Sequence, residues 1–390
     1  MVVVLAVGLL VAAVVGVFVH PRRVPAGAAP LVAAALVVVL GVSSARAAGH
    51  AVRPLVAPLL FLLLAVPLAV LLDRLGFFTA AAGIVSGGRH LHLGLWFLGA
   101  AVTTVFNLDA AVVLLTPLYI RIARRHGIDP LELAIQPAML AALASSALPV
   151  SNLTNLIAAQ QLHLDAGSFV GRLGPASLGA VIVGYLGYRR TRAGPVGEPL
   201  PDEPIDRTAL WRGLPVVAFV LVGFTVGDVI GVPAFVVAAV AVVALLTLVK
   251  DRRRLPLPWD AVALALGLGV VAAAAAPHLG VEHLLSGRGF WGDARAMGVA
   301  AIGADLVNNL PAWLVALPSL DAHNPRVWPV LLAVNMAPAL VLTGALSGLL
   351  WRDTARRLGV PVSGLDYTRR GVRIALPALV VAAALVLFVQ

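Results

Sequence analysis

The sequence predicts an all-α polytopic membrane protein with about 10–13 membrane segments, some broken or re-entrant, in two repeats expected to be inverted. Three observations carry that expectation. First, the 390 residues are 61% hydrophobic and 12% charged, about half the charged share of a soluble domain, and the mean hydropathy is +0.99. Second, the basic residues cluster between apolar runs, as at Arg121/Arg124/Arg125, Arg189/Arg190/Arg192 and Arg369/Arg370/Arg373. Third, polar clusters interrupt the apolar runs once in each half, around Asn107–Asp109 and Asp305–Asn309.

A spanning helix needs about 20 mostly apolar residues. In the first half, the runs over 2–19, 28–44, 54–72, 93–106, 108–123, 131–149 and 166–187 approach that length. In the second half they are 211–230, 233–249, 257–277, 294–317, 326–350 and 371–389. The first run has its basic residues, Arg22 and Arg23, after the apolar stretch and not before it, so it reads as a retained span and not as a signal peptide. Several runs are short or broken by Pro and Gly. Such breaks suit backbone that lines a cavity, where exposed N–H and C=O groups find partners.

Residues 189–210 hold Pro195, Pro201 and Pro204 with charges of both signs. They read as a linker, cytoplasmic by its charge, between a first transmembrane repeat (1–188) and a second (211–390). The segment Phe106-Asn107-Leu108-Asp109 corresponds in position to Val307-Asn308-Asn309-Leu310, and each is followed by a second polar break.

Composition removes several function classes. The net charge is +10, but the arginines lack the interleaved aromatic or polar surface that nucleic-acid binding needs, so no nucleic-acid partner is expected. With no cysteine, disulfides, thiolate metal sites and cysteine nucleophiles are excluded. Lys250 is the only lysine, which removes the phosphate-loop motif of ATPases. Gly287 to Gly292 fits a dinucleotide-loop pattern, but no βαβ unit surrounds it. His278, Glu282 and His283 lack a fourth metal ligand. No cofactor is called for. The seven tryptophans fall mostly near span ends, where indole rings favour the interface.

Amides and carboxylates are costly in hydrocarbon and persist where a cavity, ion or substrate satisfies them. Matched interruptions in two halves point to a transporter's binding site. The candidate substrate-binding residues are Asn107, Ser151, Asn152, Thr154, Asn155, Asn308, Asn309, Asn335 and Thr343. Asp109 and Asp305 are the candidate coupling groups for a proton or sodium ion, since each lies within an apolar stretch beside amides. Asp73 with Arg74 reads as a pair at a helix end, and Asp228 as a loop or cap residue.

The same residues resemble the bacterial arsenite/antimonite efflux permease family, within the ion-transporter superfamily that also holds dicarboxylate and sodium–proton carriers. The resemblance runs from about Leu59 to the C-terminus and is densest at LDRLGFF (72–78), FNLDAAVVLLTP (106–117), VSNLTNL (150–156), VNNLP (307–311) and AVNMAPALVLTGALSGLLW (333–351). It departs from the family pattern in the last segment, where Ala337, Ala339, Val341, Leu342 and Ala345 replace residues that are usually Gly, Lys, Thr, Pro and Ser. The resemblance implies proton-coupled efflux of arsenite or antimonite across a bacterial plasma membrane. It also implies a homodimer or a separate ATPase subunit as candidate partners, as for some relatives.

Arsenite near neutral pH is mostly an uncharged trihydroxide, and without thiolates its recognition must use Asn, Ser, Thr and backbone groups. An anion would be drawn to half-helix N-termini instead, so a dicarboxylate or other oxyanion permease and a sodium–proton antiporter remain alternatives. An intramembrane enzyme using Asp109 and Asp305 as an aspartyl pair is a distant one, and the flanking motifs do not fit it.

Overall fold

The computed structural model describes residues 1–19, 24–85, 90–192, 204–251, 253–321 and 323–388, without the Asp228 side chain. Half of the 189–210 linker, residues 193–203, therefore lies outside the described residues, as does the side chain on which the cap reading of Asp228 depends. Those residues are helical with no strand. Among the described residues, six helices are long and apolar enough to cross a membrane, and five shorter apolar helices accompany them.

The first half comprises α1 (Val2–Val19), α2 (Ala28–Val39), α3 (Ala45–Val52), α4 (Val56–Arg74), α5 (Phe77–Val85), α6 (Leu91–Phe106), α7 (Leu108–Arg125), α8 (Pro130–Leu143), α9 (Leu153–Leu162) and α10 (Ala166–Arg189). The second comprises α11 (Arg207–Val229), α12 (Ala234–Leu248), α13 (Trp259–Ala275), α14 (Val281–Leu285), α15 (Gly289–Val307), α16 (Asn309–Ala316), α17 (Val327–Met336), α18 (Leu346–Arg357) and α19 (Gly364–Phe388).

The runs expected as separate spans at 93–106 and 108–123 are the two arms of one re-entrant hairpin. The chain reverses at Asn107, whose φ of 89° and ψ of 143° no helix continues. Tyr119 on the return arm donates to the Leu95 carbonyl at 2.5 Å, so residues equidistant from the turn face one another. The run at 294–317 is likewise a hairpin, α15 and α16, turning at Asn308 with φ 83° and ψ 151°. A Cβ on Gly303 would lie 3.7 Å from Ala312 across it. Hydropathy alone cannot separate a hairpin from a pair of spans, because both are apolar throughout.

Each hairpin is followed by a broken crossing helix. α8 ends at Leu143 and α9 resumes at Leu153, while α17 ends at Met336 and α18 resumes at Leu346. The expected single spans 131–149 and 326–350 are thus discontinuous.

The hairpins enter from opposite faces. At the base of the first lie the arginine-bearing ends. Arg124 donates to the Leu358 carbonyl beyond α18, and Glu132 at the start of α8 lies 3.6 Å from Arg192 beyond α10. A Cβ on Gly187 of α10 would come within 2.7 Å of the Arg373 carbonyl on α19. The base of the second hairpin is at the other end of α19, where Phe290 stacks on Phe388 at 5.5 Å. There Arg326 holds Asp293 at 2.7 Å and the carbonyls of Leu285 and Gly287.

Two expectations about single residues are corrected. Arg74 does not pair with its neighbour Asp73. It donates to the carbonyls of Arg253 and Arg254 and lies 3.8 Å from Asp251, closing the loop before α13. Trp96, Trp313 and Trp351 are fully buried instead of interfacial. For two of them the indole N–H finds a carbonyl inside the bundle, Trp96 at Val181 and Trp351 at Ala134.

Candidate functional site

The first four N–H groups of a helix have no intrahelical partner. In this chain four half-helix starts lie close together. The Asn107 carbonyl-type oxygen accepts from the Asp109 N–H at 2.9 Å, capping α7. Asn152 caps α9 through the Thr154 N–H at 3.2 Å. In the second half, Asn309 accepts from the Leu310 N–H at 2.9 Å and Asn308 from the same group at 3.4 Å. α18 is preceded by Ala345, which offers no capping side chain.

Each hairpin tip is fastened to its broken helix. Ser151 donates to the Thr104 carbonyl at 2.7 Å in the first half. In the second, the Asn309 N–H donates to the Gly344 carbonyl at 2.8 Å and the Asn308 amide to the Thr343 carbonyl at 3.3 Å. A Cβ on Gly344 would lie 2.8 Å from the Pro338 Cα and 3.1 Å from Asp305 Oδ1, so only glycine leaves this backbone in place.

The halves meet at Asn335 on α17. Its Oδ1 accepts from Asn152 at 3.0 Å and Thr154 at 2.6 Å, and its Nδ2 donates to Asn155 at 2.6 Å and Ser146 at 3.3 Å. Both acceptor and both donor positions of this amide are filled. Asn155 also donates to the carbonyls of Ser145 and Leu148 in the break after α8, the second of which also accepts from the Ser151 N–H at 3.2 Å.

In front of this network is a cavity of about 410 Å³, its mouth included, where the starts of α7, α9, α16 and α18 converge. Its polar lining is Asp109, Asn152, Thr154, Asn308 and Asn309. Leu108, Leu153, Leu310, Ala345 and Leu346 from the same four helix starts, with Leu62 of α4 and Ala261 and Leu264 of α13, complete it. No Lys, Arg or His side chain lines it.

The sequence candidates therefore divide. Asp109, Asn152, Thr154, Asn308 and Asn309 line the cavity. Asn107 caps the helix whose first turn forms one wall, and its Nδ2 is buried without a hydrogen-bond partner. Ser151, Asn155 and Asn335 are buried behind the cavity, bonded to protein groups. Thr343 contributes its carbonyl to the second tip and does not line the cavity. Asp305 stands one turn before Asn308, against Gly344, away from the lining. One carboxyl oxygen of Asp109 and one of Asp305 are buried without a hydrogen-bond partner.

The apolar lining was not found from sequence. Ala345 occupies the position in the second break that Asn152 occupies in the first, and only aligning the two breaks would have found it. A second polar cluster was not assembled from sequence, although His90 and His92 stand out there beside an interfacial turn as candidate proton-sensing groups. At the base of the first hairpin, His92 Nδ1 lies 2.7 Å from the Tyr188 hydroxyl and 3.6 Å from Glu132, itself 2% exposed.

The profile of the citrate transporter family matches residues 2–346. The arsenical pump membrane protein of Escherichia coli (strain K12) is 27% identical over 354 residues, covering 81% of this chain and 82% of its own length. The proteins of the same description from Shigella flexneri and Yersinia enterocolitica show the same identity and coverage. With hairpins, broken helices and a multi-pass helical body in place, the match over most of its length shows that this chain belongs to the citrate transporter family of membrane transporters.

Proposed function

We propose that this transporter exports a small uncharged oxyacid of the arsenite/antimonite type in exchange for protons, with both halves contributing to one binding site. The observation that carries the reading is the lining of the central cavity: amides, one hydroxyl and one carboxyl, with no cationic side chain. A neutral trihydroxide offers donors and acceptors together. It suits the amides of Asn152, Asn308 and Asn309, which can donate and accept, and Thr154, whose hydroxyl proton goes to Asn335 and whose oxygen can still accept. A carboxylate such as Asp109 accepts hydroxyl donors but repels an anion. The sequence similarity to arsenical pump membrane proteins supports the same substrate class.

Asp109 is the proposed coupling acid, because it alone brings a carboxyl to the cavity wall. A proton taken up there and a substrate bound there compete for the same oxygens, which couples the two fluxes. Asp305 is the second acid, acting through the Gly344 backbone that leads into α18.

Expression of the gene in an efflux-deficient bacterial host tests the reading. Restored growth on arsenite is expected, and a host that stays sensitive despite protein in its membrane contradicts it.

A second reading is a citrate or related carboxylate carrier, favoured by the family description and by the four converging helix starts, whose N–H groups attract anions. Transport of each substrate separates the two. Vesicles holding the protein should move arsenite and leave citrate behind under the first reading, and move citrate and leave arsenite behind under the second.

A further inference from the structure

α9 and α16 both begin at the central cavity and run away from it together. A second cavity, of about 380 Å³ with its mouth included, lies farther along them. Gln161 of α9, Leu314 of α16, Leu317 just beyond it, and Gly269 and Ala273 of α13 line it, with His50 of α3 at its rim. Thr154 and Gln161 are on one face of α9, about 10 Å apart at the helical rise. Leu310 and Leu314 likewise share a face of α16, and each lines one of the two cavities. Between Thr154 and Gln161 on that face of α9 is Ala158, which is fully buried. Packed side chains thus separate two cavities that share three helices.

We propose that this second cavity is the outward vestibule of the transport path: substrate leaving the central site passes between α9, α13 and α16, and Gln161 and His50 hydrogen-bond it there. The inference rests on the transport reading above. The side follows from charge. α10, which starts just after α9, ends in Arg189, Arg190 and Arg192, and excess arginine marks the cytoplasmic face. The α9 C-terminus, where Gln161 stands, is at the opposite end of that crossing. Leu314 and Ala158 are the closed gate between vestibule and site, and alternating access requires such a gate on one side at a time.

The chain has no cysteine, so a single Gln161→Cys substitution gives one labelling site. A charged, membrane-impermeant thiol reagent is applied to intact cells and, separately, to inside-out vesicles. Labelling is expected to be severalfold faster from the outer face. The labelled protein should lose most of the arsenite efflux that the same variant shows before labelling. Labelling only from the inner face, labelling from neither face, or full efflux after labelling each overturns the vestibule. If the unsubstituted protein moves no arsenite, the proposed substrate fails, while the sidedness of labelling still decides the vestibule.

Discussion

Asn107 and Asn308 hold almost the same backbone angles, in a region of φ and ψ that residues other than glycine rarely occupy. Such a conformation costs on the order of 1–3 kcal/mol and persists where its surroundings fix it. Each asparagine offsets part of that cost by capping the helix it starts, worth about 1 kcal/mol. Asn107→Gly should therefore leave thermal stability within about 1 kcal/mol of the parent. It should nevertheless lower transport, because the buried amide beside the cavity is gone; unchanged transport would mean Asn107 serves the turn alone. Asp109→Asn keeps the shape of the cavity wall and removes the exchangeable proton. Its expected result is exchange of substrate down a gradient without uphill efflux, read in reconstituted vesicles. These polar residues were legible in the sequence because amides and acids stand out against hydrocarbon. Which of them line the cavity was not legible: Asn335 and Asn152 are the same residue type, and only the fold sets one behind the other.

The two hairpins are pinned at their bases by acid–base partners in reversed order. His92 on α6 faces Glu132 on α8, whereas Asp293 on α15 faces Arg326 before α17. Each pair ties the entering arm of a hairpin to the start of the broken helix that follows. Removing one partner from a buried pair leaves an uncompensated charge, at a cost of about 3–5 kcal/mol. Arg326→Met should destabilise by about 3 kcal/mol in a denaturation series, with Asp293→Asn in the same chain recovering part of the loss. An additive result would separate the two residues energetically. Outside the membrane segments, Asp165 caps α10 by accepting from the Ser168 N–H at 2.8 Å and the Ser168 hydroxyl at 2.9 Å. The Ser168 backbone bond, then its hydroxyl, holds the Asp165 carboxyl below the usual range. Because the folded value is the lower one, this cap contributes above the ordinary aspartate range and is lost as pH falls through the depressed value. Asp165→Ala should cost about 1 kcal/mol at neutral pH and progressively less in acid. The helices themselves were largely legible as apolar runs. Their direction was not, because a hairpin returning to its own face has the same hydropathy as two crossings.

Across the whole molecule, the hairpins enter from opposite faces and their tips meet the two broken helices at one cavity. Under the proposed transport reading, hairpins opposed in this way would give the site one gate toward each face. The arginine-rich ends collect at one face and Asp293, Arg326 and Asp165 at the other, the asymmetry on which the proposed orientation of the path rests. Composition and polar interruptions made the class of protein legible. The cavity was only half legible, since its second-half wall carries Ala345 and Leu346 where the first carries Asn152 and Leu153. The direct measurement is arsenite accumulation in vesicles containing the purified protein, with an imposed pH gradient acid on the inside. Uphill accumulation that collapses with the gradient and is absent in Asp109→Asn is the result the shared, proton-coupled site predicts. Accumulation that persists without the gradient, or in that variant, would contradict it.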